Sequence, residues 1–118
     1  MVTYQFNRES RLLTPGHFQQ VFSKPTRYHS QHFTVLIANN SIENNRIGFA
    51  IAKKRVKLAV QRNRVKRLVR ESFRLNQHDL PIVDMVIMAK SGIDKLDNQA
   101  ISHQIEKIWR KIIQRQKK

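Results

Sequence analysis

The spacing of hydrophobic positions changes several times along this chain, and each change marks an element. Phe18, Val21 and Phe22 stand at i, i+3 and i+4, one stripe of a helix. Thr14 before Pro15 supplies its start: a threonine oxygen caps free amides, and proline suits the first helical position. Pro25 stops the helix soon afterwards. Phe33 to Ala38 is apolar and rich in strand formers, and Arg27-Tyr28-His29 offers a short extra strand ahead of it. From Arg46 to Ala52, large residues at Ile47, Phe49 and Ile51 alternate with small ones. That period of two packs one strand face and keeps the other low. The stretch between the strands is turn-like at Asn39-Asn40-Ser41 and Asn44-Asn45, which suggests a hairpin.

The period then lengthens. Val65, Leu68, Val69 and Phe73 define one face of a long helix, and Asn63, Arg67, Arg70 and Arg74 define the opposite face. Arg62 and Lys66 lie nearer the boundary, and the connector before the helix, roughly 53–57, is basic as well. His78-Asp79-Leu80-Pro81 forms a loop. Val83 to Ala89 is nearly all apolar, interrupted by Asp84, as expected of a central strand covered on both faces. Asp97 or Asn98 caps a last helix, with Ile101, Ile105, Ile108 and Ile112 along one side and Trp109 adjacent. The order is helix, two or three strands, helix, strand, helix. This is an α+β chain with one mixed sheet covered by helices, and its 118 residues make a single domain.

Composition narrows the function. Hydrophobic residues make up 40% of the chain, too many for a disordered basic tail. The absence of cysteine excludes disulfides and thiolate metal sites and fits a reducing cytoplasm. No apolar signal segment opens the sequence, and no apolar run nears the roughly 20 residues of a membrane span. Lys and Arg number 23 against 8 Asp and Glu, a net +15. Between Arg46 and Arg74 stand 11 of those cations with Glu71 as the sole acid. Solvated helix faces usually mix signs; this segment hardly does, and it marks a polyanion-binding surface. Nucleic acid is the first partner to expect and an anionic membrane the second. The last residues, about 114–118, are basic and expected to fray.

No catalytic constellation emerges. His17, His29, His32, His78 and His103 show no zinc-ligand spacing, the eight acids are scattered, and three glycines make no phosphate loop. The densest motif is Arg62-Asn63-Arg64-Val65-Lys66-Arg67-Leu68-Val69-Arg70, whose guanidinium forks suit phosphate oxygens. Phe18 and Phe22 have two readings, core packing or stacking platforms for unpaired bases. Phe33 and Phe49 are core. The residues alone support an RNA- or DNA-binding α+β domain, with a ribosomal-type structural RNA-binding protein as one form of it.

Ala59 through Arg74, centred on Arg62-Asn63-Arg64, resembles the signature of the bacterial ribonuclease P protein family. Arg11-Leu12-Leu13-Thr14 with His17-Phe18-Gln19-Gln20-Val21-Phe22 is similar to its first helix, and Arg46-Ile47-Gly48 through Lys53-Lys54 to its strand and basic connector. Asp84 to Ala89 and the Trp109 helix complete the match. The resemblance implies an α/β sandwich, ribosomal protein S5 domain 2-like, with a mixed four-stranded sheet, the order αβββαβα and a left-handed βαβ crossover. It implies a catalytic RNA as partner, precursor tRNA as substrate, and Mg²⁺ held mainly by RNA. It implies no catalytic residue in this chain, no membrane and no obligate protein partner, and a cytoplasmic location. Lys53, Lys54, Arg62, Asn63, Arg64, Lys66, Arg67 and Arg70 match the surface that faces the RNA. Phe18 and Phe22 match the cleft that holds the 5′ leader. Where some members carry a tyrosine on the cleft strand, this chain has Leu36 and Ile37.

Overall fold

The computed structural model describes residues 15–23, 25–39 and 45–116. The cap predicted at Thr14, the Arg11-Leu12-Leu13 stretch, the turn residues Asn40, Ser41 and Asn44, and Lys117 and Lys118 lie outside them. The elements run α1 (Pro15–Ser23), β1 (Thr26–His29), β2 (Phe33–Asn39), β3 (Arg46–Phe49), α2 (Ala59–Asn76), β4 (Val83–Ala89), a single 3₁₀ turn (Ile93–Lys95) and α3 (Asn98–Gln116). The observed order is αβββαβα, as the resemblance implies, and of the two or three leading strands that the periodicities allow it has three.

The strands form one mixed sheet in the order β1-β2-β4-β3. β1 and β2 pair antiparallel, as do β2 and β4, while β3 lies parallel to β4. The expected hairpin between the second and third strands is therefore wrong, because β4 stands between them. Its side chains explain the choice: Val83, Met85, Val86 and Ile87 are all buried, and only a central position covers both faces of such a strand. β3 is also shorter than its alternation suggested. It ends at Phe49, with one further bond from the Ala50 N–H to the Ile87 carbonyl at 2.9 Å.

Strand parity divides the core in two. On one face, Phe33, Val35, Ile37, Ile47, Met85 and Ile87 pack against Val65, Val69 and Phe73 of α2 and Ile101, Ile105, Ile108 and Ile112 of α3. Each of those isoleucines on α3 is fully buried, a stabilisation of about 1.5–3 kcal/mol apiece. Trp109 locks the two helices: its indole Nε1–H donates to Ser72 Oγ at 2.9 Å, and its ring meets Phe73 edge-on with centroids 6.2 Å apart. The choice of cap for α3 is settled by Asp97, whose Oδ1 accepts the Ala100 N–H at 2.8 Å. On the opposite face α1 is the described helix that covers the sheet centre, burying Val21 against Leu36 and Val86.

Candidate nucleic-acid interface

The two faces predicted for α2 are the two faces found. Val65, Val69 and Phe73 are fully buried, with Leu68 packed beside them. Asn63, Arg67 and Arg70 are exposed, and Lys66 and Arg74 are half-buried. Packing of the apolar stripe on the sheet thus forces the arginines outward. Arg70 lies over the Phe49 ring, 5.2 Å from its centroid, so β3 helps to hold that guanidinium. Glu71, 61% exposed, sits 3.5 Å from Arg74 and offsets little of the charge.

The connector adds to this surface. It leaves the sheet at Ala50, on the face that α1 covers, and reaches exposed Lys53, Lys54, Arg55 and Lys57 within a few residues. It delivers the chain to an α2 N-terminus with no acidic residue in its first turn and no side-chain cap on its amides. The positive end of the helix dipole therefore follows the basic connector directly along the chain. From Lys53 to Arg70 the chain carries no acid, so connector, helix end and helix face add charge of one sign.

Two arginines of the signature also make hydrogen bonds within the chain. Arg62 Nη1 donates to the Val56 and Lys57 carbonyls, both at 2.9 Å, and so fixes the end of the connector. Arg64 donates to Gln61 Oε1 at 2.9 Å, to Asn98 Oδ1 at 2.6 Å, and to the Asp94 and Leu96 carbonyls at 3.1 and 3.0 Å. It ties α2 to the chain entering α3. Both are expected on the RNA-facing surface, and both, half-buried, also brace its shape.

The aromatic pair on α1 also separates. Val21 is the anchor of the helix, Phe18 is half-buried against Ala38, Ala50 and Met88, and Phe22 is 44% exposed. One nine-residue helix cannot cover the whole sheet face. Arg27 and His29 of β1 remain exposed on the strand positions paired with Leu36 and Thr34, the latter 3.3 Å from the His29 ring through its Oγ1. Among the described residues, Ala38, Ala50 and Met88 stay half-buried on the sheet face beside α1. Leu36 is buried beneath α1, and Ile37 points to the other face.

Asp84, read from the sequence as an interruption, has a partner that sequence reasoning missed. Arg46, its register neighbour on β3, donates from Nε at 2.8 Å and from Nη2 at 2.7 Å to its two oxygens. The only signal was chemical: a carboxylate within a buried strand demands a cation. Among the described residues no three His, Asp or Glu side chains converge into a metal-binding group. Nor is any described helix long and apolar enough to cross a membrane.

A mixed four-stranded sheet, with a cation-faced helix on one side and a short aromatic helix on the other, defines a polyanion-binding α+β protein. The Ribonuclease P family profile matches residues 6–113. The ribonuclease P protein component of Pseudoalteromonas translucida is 49% identical over 115 residues, covering 98% of this chain and 82% of that protein. Its counterpart in Salmonella paratyphi A is 52% identical over 111 residues, covering 94% and 93%. The RNase P protein of Staphylococcus aureus superposes with a TM-score of 0.82 at 25% identity, covering 88% of this chain and 97% of that one. The chain belongs to the bacterial ribonuclease P protein family: it is the protein subunit of that ribonucleoprotein, and ribonuclease P RNA is its partner.

Proposed function

We propose that this subunit grips ribonuclease P RNA through the outward face of α2 and its connector, and holds the 5′ leader of precursor tRNA on the sheet face beside α1. Lys53, Lys54, Asn63, Lys66, Arg67 and Arg70 contact RNA phosphates. Arg62 and Arg64 take part chiefly by fixing the connector and the α2–α3 junction. The observation that carries this reading is the division of α2 into a fully buried apolar face and an exposed cationic one. Phe22 and the open side of Phe18 offer ring faces to unpaired leader bases. Such stacking tolerates any base, so leader sequence matters little.

Catalysis in this reading belongs to the RNA, with Mg²⁺ that the RNA holds. The described residues of this chain offer no carboxylate cluster fitted to the ion, since both oxygens of Asp84 are engaged by Arg46. The contribution of the protein is positional and electrostatic. Its cations offset phosphate repulsion between leader and catalytic RNA, which lowers the Mg²⁺ that cleavage needs. The working location is the cytoplasm, where tRNA precursors are made.

The test is leader dependence. Holoenzyme affinity is measured for precursor tRNA with and without a 5′ leader, using the wild-type protein and Phe22→Ala. The wild type gains affinity from the leader, and Phe22→Ala forfeits about 1–3 kcal/mol of that gain for each base that no longer stacks. Equal leader dependence in both proteins would contradict the placement of the leader beside α1.

A further inference from the structure

Two positions at the start of α2 break the rules that the rest of the helix obeys. Val60 stands three residues before Asn63 and seven before Arg67, so helical spacing places it on the outward cationic face, nearly opposite the stripe of Val65, Val69 and Phe73. It is 67% exposed, and Leu58 two residues earlier is 61% exposed, more than any other large hydrophobic among the described residues. Leu58 is also the N-cap of the helix, with extended backbone and no side-chain bond to the free amides. Serine, threonine, aspartate and asparagine suit that position, and leucine is among the poorest choices.

Single exposed apolar residues are ordinary on a protein surface, and Leu75 and Ile82 are of that kind. Leu58 and Val60 differ in their surroundings. They lie within a run from Lys53 to Arg70 that holds nine cations and no acid. Neither belongs to a core cluster, and valine is a weaker helix former than alanine. Local choices that run against the fold mark positions kept for another purpose. The backbone beside them is held still, because Val56 is fully buried and Arg62 donates to the Val56 and Lys57 carbonyls. A partner that covers the pair therefore has little chain to order.

That partner must present apolar surface and negative charge together, since Lys57 adjoins Leu58 and Arg67 shares the helix face of Val60. RNA has both, in its phosphates and in the flat faces of its bases. Within a paired helix the base faces are hidden in the stack, and the grooves show edges, hydroxyls and phosphates, to which aliphatic side chains offer nothing. An unpaired base turned out of the stack leaves a face open. We propose that Leu58 and Val60 form an apolar seat for an unpaired base of ribonuclease P RNA, beside the phosphate contacts of α2. The inference rests on the reading of α2 as the RNA-facing surface, and adds to that surface a contact that salt does not screen.

The experiment measures binding of the full chain to ribonuclease P RNA across a salt series, for Leu58→Ser, Val60→Ala and the double variant L58S/V60A. Each single variant is expected to bind about fivefold more weakly, the worth of the methyl groups newly covered by the base. Its salt slope stays that of the wild type, because no phosphate contact is lost. Alanine is a better helix former than valine, and serine a better cap than leucine, so stability to urea holds at the wild-type level or rises. Weaker RNA binding in an undiminished fold is a pairing that a folding role does not produce, and Val60→Ala, on the exposed face alone, gives it independently of the connector. Acylation of RNA 2′-hydroxyls, with the RNA saturated by either protein, then locates the base: at least one unpaired nucleotide is quiet under the wild type and reactive under L58S/V60A. Unchanged affinity in Val60→Ala and L58S/V60A, a flattened salt slope, or identical reactivity in the two saturated complexes overturns the seat. R67A/R70A is the reference for the α2 surface. If it flattens the slope while L58S/V60A binds like the wild type, the seat alone has failed; if it too keeps the wild-type slope, the α2 reading has failed with it.

Discussion

Arg64 of α2 reaches Asn98 at the start of α3, its Nη1 donating to Asn98 Oδ1 across 2.6 Å. With its bonds to the Asp94 and Leu96 carbonyls, this side chain joins elements 30 or more residues apart in sequence. An arginine in the family signature thereby acts on the fold. Arg64→Ala is expected to lower unfolding stability by about 1–2 kcal/mol, the low end for several partly exposed charged hydrogen bonds. Urea denaturation gives the value, and Arg67→Ala, exposed and outward, supplies the contrast at about 0.5 kcal/mol or less. Equal, negligible losses in the two proteins would remove the structural role of Arg64.

Arg67 and Arg70 show the opposite profile. Replacing both by alanine weakens binding to ribonuclease P RNA and flattens its dependence on salt, by about one unit of slope for each phosphate no longer neutralised. Filter binding across a salt series measures it, and an unchanged slope would separate these residues from phosphate contact. Arg70→Ala also gives up the guanidinium position over Phe49, a structural cost of about 0.5–1 kcal/mol.

The Arg46–Asp84 pair is nearly enclosed, with side chains 13% and 1% exposed. Removing one partner strands a buried charge. Asp84→Ala is expected to cost about 3 kcal/mol or more, while the joint replacement Arg46→Met with Asp84→Leu costs clearly less. Thermal or urea unfolding of the three proteins decides it; a double variant weaker than the single one would contradict the argument. Hydrogen bonding to Asp84 raises the pKa of Arg46, burial lowers it, and Coulombic attraction adds to the rise. A raised value contributes stability that is full below the unfolded pKa and is lost as pH climbs through the folded one. Both lie at the alkaline extreme, so the Arg46 shift adds no pH dependence near neutrality.

Ser72 and Trp109 report on the α2–α3 junction. Ser72→Ala leaves the buried indole N–H without its acceptor and is expected to cost about 1–3 kcal/mol. Trp109 is the single tryptophan of the chain, so its fluorescence follows both the loss and the unfolding transition. A stability equal to the wild type would show that water replaces the hydroxyl without cost.

What could be read from the sequence follows from what periodicity encodes. It places residues by angle around an element, so the buried and cationic faces of α2 and the isoleucine stripe of α3 were legible. Strand order was not: Asn39 to Asn45 looks like a hairpin connection locally, and only the need to cover both faces of β4 sets it apart from β2–β3 pairing. Side-chain reach was also illegible. Nothing near Arg64 in sequence announces carbonyls at Asp94 and Leu96, and nothing near Asp84 announces Arg46. Phe18, Val21 and Phe22 form one stripe on paper, yet α1 buries only Val21 completely, because a short helix on a wide sheet has a narrow footprint.

The central claim is that this chain assists RNA-borne catalysis through its cationic surface and the sheet face beside α1. Single-turnover cleavage of a leader-bearing precursor tRNA at low Mg²⁺ tests it most directly, with ribonuclease P RNA alone, with RNA plus protein, and with protein alone. The account predicts cleavage at the mature 5′ end only when RNA and protein are both present. Cleavage by the protein alone, or tight RNA binding with no gain in cleavage, would contradict it.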